Sequence, residues 1–379
     1  MYRASLIAIA ILQIFLCSCR KSANDANLSG QTSAIYKSDS ITYAKGFSIE
    51  IFDDYKKINV YNPWNDNKLL QTYILVPKKS DLPKNLPKGI VIRTPLEKTA
   101  SYNSVQCSYF DELGVLNTLV GVCEPNQIRI ASVVDAVRNR QIADFGMAAN
   151  PDIEKIMLAE PEALFVTPIE GAEYGAVTQL GIPMVECLDY MENSPLGRAE
   201  WIRFIALFFE KNETGDSLFS ETVRRYDELR NLSEKSAEKP TVFSETMYGG
   251  VWYLPGGQSY MAQLFRDAGA EYVWKDDKRT GSLGLPLEAV LDKANDADFW
   301  LIKYSSNNSL TYKALKEENS NYALFNAYQK KNIFACNTGQ VPYYEEIVLH
   351  PDRLLKDLLS IFHPELAPDY KRIYFEKID

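Results

Sequence analysis

Histidine is nearly missing from this chain: His350 and His363 are the two present in 379 residues, and neither has a second His or Cys at ligand spacing. A site that grips a bare metal ion directly is therefore not expected. His350, next to Pro351, reads more simply as a helix-start residue. The six cysteines include no CxxC pair, which argues against structural zinc. Lys and Arg number 41 against 50 Asp and Glu, a formal net charge of −9. Nucleic acid is a poor partner for such a chain, because neutralising phosphates takes clustered cations. No G-x-S-x-G elbow, H-E-x-x-H helix or P-loop occurs, so the commonest hydrolase and nucleotide signatures are missing too.

What is present is an exported, globular, aromatic-rich chain. Its length allows two domains with sizeable cores, and 46% hydrophobic residues with 24% charged is an ordinary globular balance. Tyr (23), Phe (17) and Trp (5) are plentiful enough to line a pocket with rings. At the N-terminus Met1-Tyr2-Arg3 forms a basic n-region, and 6–16 is an apolar stretch too short to span a bilayer comfortably. Leu16-Cys17-Ser18-Cys19 follows and resembles a bacterial lipobox, which implies cleavage before Cys19 and acylation of its thiol. The alternative is an ordinary secretory signal with incidental cysteines; either reading exports the protein. Cys107, Cys123, Cys187 and Cys336 are read as buried small hydrophobes, although export would permit a Cys107–Cys123 disulfide.

Two stretches echo one another. Pro151-Asp152-Ile153-Glu154 leads through Ile156 and Met157 to the apolar run 163–166, and Pro286-Leu287-Glu288 leads through Val290 and Leu291 to 299–302. Each reads as a helix with Pro in its first turn, an acidic turn and a buried strand. In each, a glutamate follows the first apolar residue and points away from the packed stripe. Two similar α/β lobes are implied.

Between and around the repeats the chain divides by composition. A signal peptide (1–19) and a flexible Ser/Asn/Lys tether (20–45) precede a β-rich extension (46–88). The run 77–88, with its three prolines, marks a boundary. An N-terminal α/β lobe then runs from 89 to 193, opening with the apolar strand 90–94. Residues 194–238 carry a long helix at 197–210, apolar over most of its circumference and so buried, plausibly between the lobes, and then a polar helix at 217–235. A C-terminal α/β lobe (239–379) restarts the rhythm. Apolar strands alternating with helices call for parallel sheets covered on both faces.

With Gly181-Ile182-Pro183-Met184-Val185, Trp252-Tyr253-Leu254-Pro255-Gly256-Gly257 and Leu264-Phe265-Arg266-Asp267-Ala268-Gly269, the chain from about 89 to 366 resembles the substrate-binding proteins of ABC importers for iron–siderophore, haem and cobalamin. That resemblance implies two Rossmann-like lobes joined by one long helix, matched here by 197–210. It implies a monomeric receptor with no cofactor of its own, a metal-complex cargo, and a permease with its ATPase as partners. It also implies one glutamate per lobe docking on the permease, at Glu154 and Glu288. The bland reading of those two carboxylates is helix-dipole stabilisation of a few tenths to about 1 kcal/mol each.

Ligands of open α/β sheets lie beyond the carboxyl ends of the strands. The loops there supply the candidate ligand-binding residues Phe145 and Trp252, then Tyr248, Tyr253 and Tyr102, with Arg279 available for an anionic group. A rival class is an exported hydrolase using two carboxylates, but Glu154 and Glu288 fall on separate lobes, too far apart in role for an acid/base pair.

Overall fold

A computed structural model describes residues 37–379. The expected signal peptide, Cys19 and the tether up to residue 36 lie outside the described residues. Five strands come first, β1 (Lys37–Asp39), β2 (Phe47–Ile51), β3 (Lys56–Asn62), β4 (Lys68–Pro77) and β5 (Ile90–Thr94), side by side in that order. β1 to β4 are antiparallel, and β5 joins β4 in parallel with Leu75 opposite Ile92. The expectation that 90–94 opens the N-terminal lobe is thus corrected. The Pro-rich run folds back because the Arg93 guanidinium donates to the carbonyls of Pro77 (2.9 Å) and Lys78 (3.0 Å), and this delivers β5 to the free edge of β4.

The first lobe holds β6 (Thr99–Ser101), β7 (Leu119–Val122), β8 (Ala143–Asp144), a short hairpin of β9 (Gly146–Met147) and β10 (Asn150–Pro151), then β11 (Ala163–Val166) and β12 (Met184–Glu186). Its sheet runs β12-β11-β6-β7-β8, parallel throughout, beside α1 (Ser104–Glu112), α2 (Ala131–Arg138) and α3 (Ile153–Ala159).

Two helices, not one, make the connection: α4 (Pro195–Leu207) and α5 (Asn212–Ser233), with Glu210 in a left-handed conformation (φ 54°) between them. Ser194 caps α4 by accepting from Gly197 N at 3.0 Å. Nearly every residue of α4 is buried, as its all-round apolar pattern requires. It touches both expected lobes, since Leu196 joins the second core and Arg198 stacks on Tyr260 of the second lobe, but its largest apolar contacts include a third body. Trp201 meets Phe47 of β2 (ring centroids 4.9 Å), and Phe204 meets Tyr73 of β4 (6.3 Å). On the other side Phe208 meets Phe165 of β11 (5.6 Å). So α4 is sandwiched between the first sheet and the first lobe, and one hydrophobic cluster runs through all three. Helix α5 is the element that crosses to the second lobe. Phe219 belongs to the first core and Tyr226 to the second, while Val223 touches both. The crossing of α4 and α5 is tight at Gly215, where an added Cβ would lie 2.7 Å from Ala206 Cβ.

The second lobe contains β13 (Thr241–Ser244), β14 (Met247–Tyr248), β15 (Val251–Pro255), β16 (Glu271–Tyr272), β17 (Ser282–Leu285), β18 (Phe299–Tyr304), β19 (Ile333–Asn337) and β20 (Glu376–Lys377). The main sheet runs β16-β13-β18-β19-β20, parallel except for β20, and β14-β15-β17 form a small antiparallel sheet beside it. Helices α6 (Tyr260–Asp267), α7 (Leu287–Ala294), α8 (Tyr312–Glu318), α9 (Asn326–Gln329), α10 (Tyr343–Glu346) and α11 (Pro351–Phe362) cover it. The protein is a two-lobed α/β structure with a β-rich addition at its start.

The end of the expected tether is held down. Glu200, fully buried on α4, accepts from the backbone N–H groups of Thr42 (2.9 Å), Tyr43 (2.7 Å) and Ala44 (2.8 Å). Glu192 accepts from those of Lys45 (2.9 Å) and Gly46 (2.8 Å), and from Trp201 Nε1 (3.1 Å). Gly46 has to be glycine, because a Cβ there would sit 2.7 Å from the Trp201 ring. Replacing Glu200 by Ala removes the acceptor of three backbone amides at once, so Glu200→Ala is expected to cost about 3 kcal/mol in urea unfolding. A loss under about 1 kcal/mol would mean the strap contributes little beyond an ordinary hydrogen bond.

Candidate functional site

Strand order locates the site. In each lobe the sheet reverses direction of growth next to its first strand: between β6 and β11 in the first, between β13 and β18 in the second. Loops leave to opposite sides at such a switch point and open a crevice. In the second lobe, Glu245 directly follows β13 and Lys303 closes the far end of β18, and the two form an ion pair at that switch. Burial alone would lower the Lys303 pKa, but the Glu245 carboxylate outweighs it and the net shift is upward. Glu245 itself is placed by its backbone: its N–H donates to Leu301 O (2.8 Å), and its carbonyl accepts from Trp300 Nε1 (2.7 Å).

Above this pair lies a cavity of about 430 Å³ between the lobes. The first lobe contributes Tyr190, Met191 and Glu192 from the segment after β12, and the second contributes Tyr253, Tyr260, Met261, Thr280 and the ion pair. Tyr190 donates to Pro168 O at 2.6 Å, and burial pushes its phenol up to about 12, so it stays a neutral donor. Tyr260 is stacked by the Arg198 guanidinium, 4.5 Å from the ring centroid. Arg198 also lies 3.6 Å from the buried Asp189, which commits its charge inside the protein. The cavity therefore offers rings, hydroxyls and a self-neutralised ion pair, and Lys303 is the sole cation lining it among the described residues.

The expected ligand-binding residues divide. Tyr253 lines this cavity and is half exposed. Its neighbour Trp252 does not: it is fully buried, donates from Nε1 to Ser244 O at 3.0 Å, and packs on Trp300 and Phe325. A strand turns alternate residues to opposite faces, so inward Trp252 and outward Tyr253 follow from β15 being a strand and not a loop. Phe145 is likewise a core residue, fully buried; a Cβ on Gly121 would meet its ring at 1.9 Å. Tyr248 sits at the exposed β14–β15 hairpin tip, 82% accessible and away from the cavity wall. Tyr102 lies at the end of β6 but is buried, its hydroxyl without a partner among the described residues. Arg279 borders the cavity through Thr280, yet its guanidinium is bound to Asp277 at 2.7 Å and pulls that carboxyl down to about 2. Missed by sequence reasoning were Tyr190, Tyr260, Glu245 and Lys303. A search of strand ends on either side of the switch point would have found the last two.

Glu154 and Glu288 are both exposed, and each is the second residue of its helix, α3 or α7. Those helices lead into β11 and β18, the strands beside the first strand of each lobe, so the placement is equivalent. The prolines fall just outside the helices: Pro286 is the N-cap of α7, and Pro151 precedes the Asp152 cap of α3. Cys107, Cys123, Cys187 and Cys336 are free and buried, without the Cys107–Cys123 bridge.

A second inter-lobe cavity, of about 380 Å³, lies between α1 and α2 of the first lobe and α10 and α11 of the second, and several of its charges have internal partners. Glu345 accepts from Arg129 N across the gap at 2.7 Å, and His350 Nε2 lies 2.7 Å from Glu112 Oε1. These contacts latch the lobes together. The His350 hydrogen bond, opposed by partial burial, holds the Glu112 carboxyl below the usual range.

The profile of the family described as periplasmic binding protein matches residues 100–338. An uncharacterized lipoprotein of Methanocaldococcus jannaschii is 26% identical over 408 aligned residues, covering 98% of this chain and 96% of its own. Among solved structures, an ABC-type Fe3+-hydroxamate transport system protein of Saccharomonospora viridis superposes with a TM-score of 0.55 at 18% identity, over 71% of this chain and 94% of that one. A periplasmic vitamin B12 binding protein of Vibrio cholerae gives 0.51 at 14%, over 73% and 99%.

A carboxyl whose folded pKa is depressed adds stability above its unfolded value, about 4.3, and loses it as the pH falls through the folded value. Glu112→Gln should therefore be less stable than the parent chain at about pH 6, and the gap should close below about pH 4. Urea unfolding of both proteins across that range measures it; a gap that does not change with pH would remove the ion pair from the account.

Proposed function

The chain belongs to the periplasmic binding protein family, and on that premise we propose that it is the lipid-anchored solute receptor of an ABC importer. It captures an iron chelate, a siderophore or haem, between its lobes and hands it to a permease driven by an ATPase. Binding is reversible, with no bond made or broken. The observation that carries this reading is the ring-lined cavity at the second lobe's switch point, closed from the other side by Tyr190, Met191 and Glu192.

The charge of that cavity supports a choice among chelates. Lys303 is neutralised by Glu245, and Glu192 is tied to backbone amides, so no cation lining the cavity is left for a polyanion among the described residues. A neutral chelate body, such as a ferric hydroxamate, fits this better than a trianionic catecholate. The same feature favours a second reading, a corrinoid cargo, since a corrin complex also carries little net charge. Export and acylation at Cys19 belong to the proposal and agree with the lipoprotein relative of matching length.

Purification from the native host followed by a visible spectrum tests the reading. A brown, red or pink chromophore that co-purifies supports it and separates the iron and corrinoid cargoes; turnover of a small organic substrate would overturn it. Glu154 and Glu288, one exposed carboxylate per lobe, are proposed to dock on permease cations. Exposed rim charges govern register and encounter more than affinity for a buried ligand. The double variant Glu154→Arg, Glu288→Arg is expected to keep chelate affinity within about twofold while uptake in cells falls to background. Unchanged uptake would remove both residues from the interface.

A further inference from the structure

The first sheet has a task beyond packing. Beside the central cavity lies a groove of about 230 Å³, and Met191, Glu192 and Thr280 line both spaces, so the two adjoin. The far wall of the groove is not built by either lobe. It comes from the strap and the β3–β4 turn of the first sheet: Lys45, Gly46, Tyr61, Pro63 and Asn67. We propose that this sheet is a third wall of the cargo site, and that the groove takes a peripheral, acceptor-bearing arm of the cargo, of amide or phosphodiester character. This rests on the reading of the central cavity as the place where the metal complex sits.

Three observations carry it. The wall is rigidly fixed relative to the cavity, because Glu192 lines both spaces while accepting from Lys45 N and Gly46 N. The sheet is also tied to the first lobe through Tyr73, whose hydroxyl donates to Met184 O and accepts from Glu186 N, both at 2.9 Å. Second, the turn that carries Asn67 is set in shape: Asp66 and Asn67 are both left-handed, with φ of 48° and 52°, a conformation that Asn and Asp tolerate better than most residues. Third, the groove is supplied with idle donors. The Lys45 ammonium and the amides of Asn67 and Asn193 have no side-chain partner among the described residues, whereas the charges of the central cavity are consumed internally. Uncommitted donors around a polar groove suit oxygen acceptors on an arm that leaves a neutral body.

The test uses the full chain and four probes in two matched pairs. Cyanocobalamin is paired with dicyanocobinamide, which keeps the corrin ring and lacks the nucleotide arm. Ferrichrome is paired with ferric tris-acetohydroxamate, which keeps the iron centre and lacks the peptide ring. Affinities are read by quenching of intrinsic fluorescence for the parent chain and for the double variant Lys45→Ala, Asn67→Gly. Both positions are exposed, and Gly preserves the left-handed turn, so the fold is retained. The expected result is that the complete member of the pair that binds loses on the order of tenfold in affinity, while its trimmed partner is unaffected. Equal losses for both members, or no loss for either, overturn the third wall while leaving the chelate reading standing. If the parent chain binds none of the four and does not bind haem either, the chelate reading itself falls.

Discussion

A carboxylate buried in a protein interior costs several kcal/mol unless its lone pairs are filled, and Glu200 is fully shielded from solvent. It is accommodated because residues 42–44 turn three consecutive backbone N–H groups toward it and the Arg203 guanidinium pairs with it at 3.1 Å, while Glu192 accepts in the same way from 45 and 46. Much else in the structure depends on this. With the strap in place, Gly46 passes under the Trp201 ring and Phe47 can enter the aromatic cluster of α4. With α4 capped on both faces, its apolar circumference has no exposed side. The helix can then lie between two sheets, where it holds the first sheet against the first lobe.

The same arrangement sets the geometry of the site. Glu192 ends the first lobe, anchors the strap and forms part of the floor that two adjoining cavities share. Across from it, the Glu245–Lys303 pair occupies the second lobe's switch point, and it is positioned by backbone bonds to Leu301 and to the Trp300 indole. The buried tryptophans therefore work one layer below the cavity wall. They hold the peptide units that present polar groups, while tyrosines, which combine a ring with a wet end, face the open space.

Much of the fold was legible in the residues. The strands at 163–166 and 299–302 fall where their apolar runs put them, each behind the short helix and acidic turn of its repeat. The equivalent placing of Glu154 and Glu288 was legible for the same reason. Strand 90–94 was assigned to the wrong sheet, since an apolar pentapeptide carries no record of its partner and the deciding contact is an arginine on distant carbonyls. The strap was read as tether because its stability comes from glutamates far along the chain, not from its own composition. Phe145 and Trp252 were mistaken for ligand contacts because an aromatic near a strand end looks the same whether it faces in or out. Only alternation along β15 separates Trp252 from Tyr253. Lys303 and Glu245 are unremarkable charges in sequence, marked only by standing at the ends of two strands that strand order brings together.

The strap also bears on how the chain comes to be folded. Thr42 and its acceptor Glu200 are 158 positions apart. At 5–20 residues per second, synthesis needs roughly 10–30 s to deliver the second after the first. Until then β2 to β4 have no α4 to pack on, and a lone antiparallel sheet of this size with one face bare is marginal in water. The leading part of the polypeptide thus stays loose while the remainder is being made.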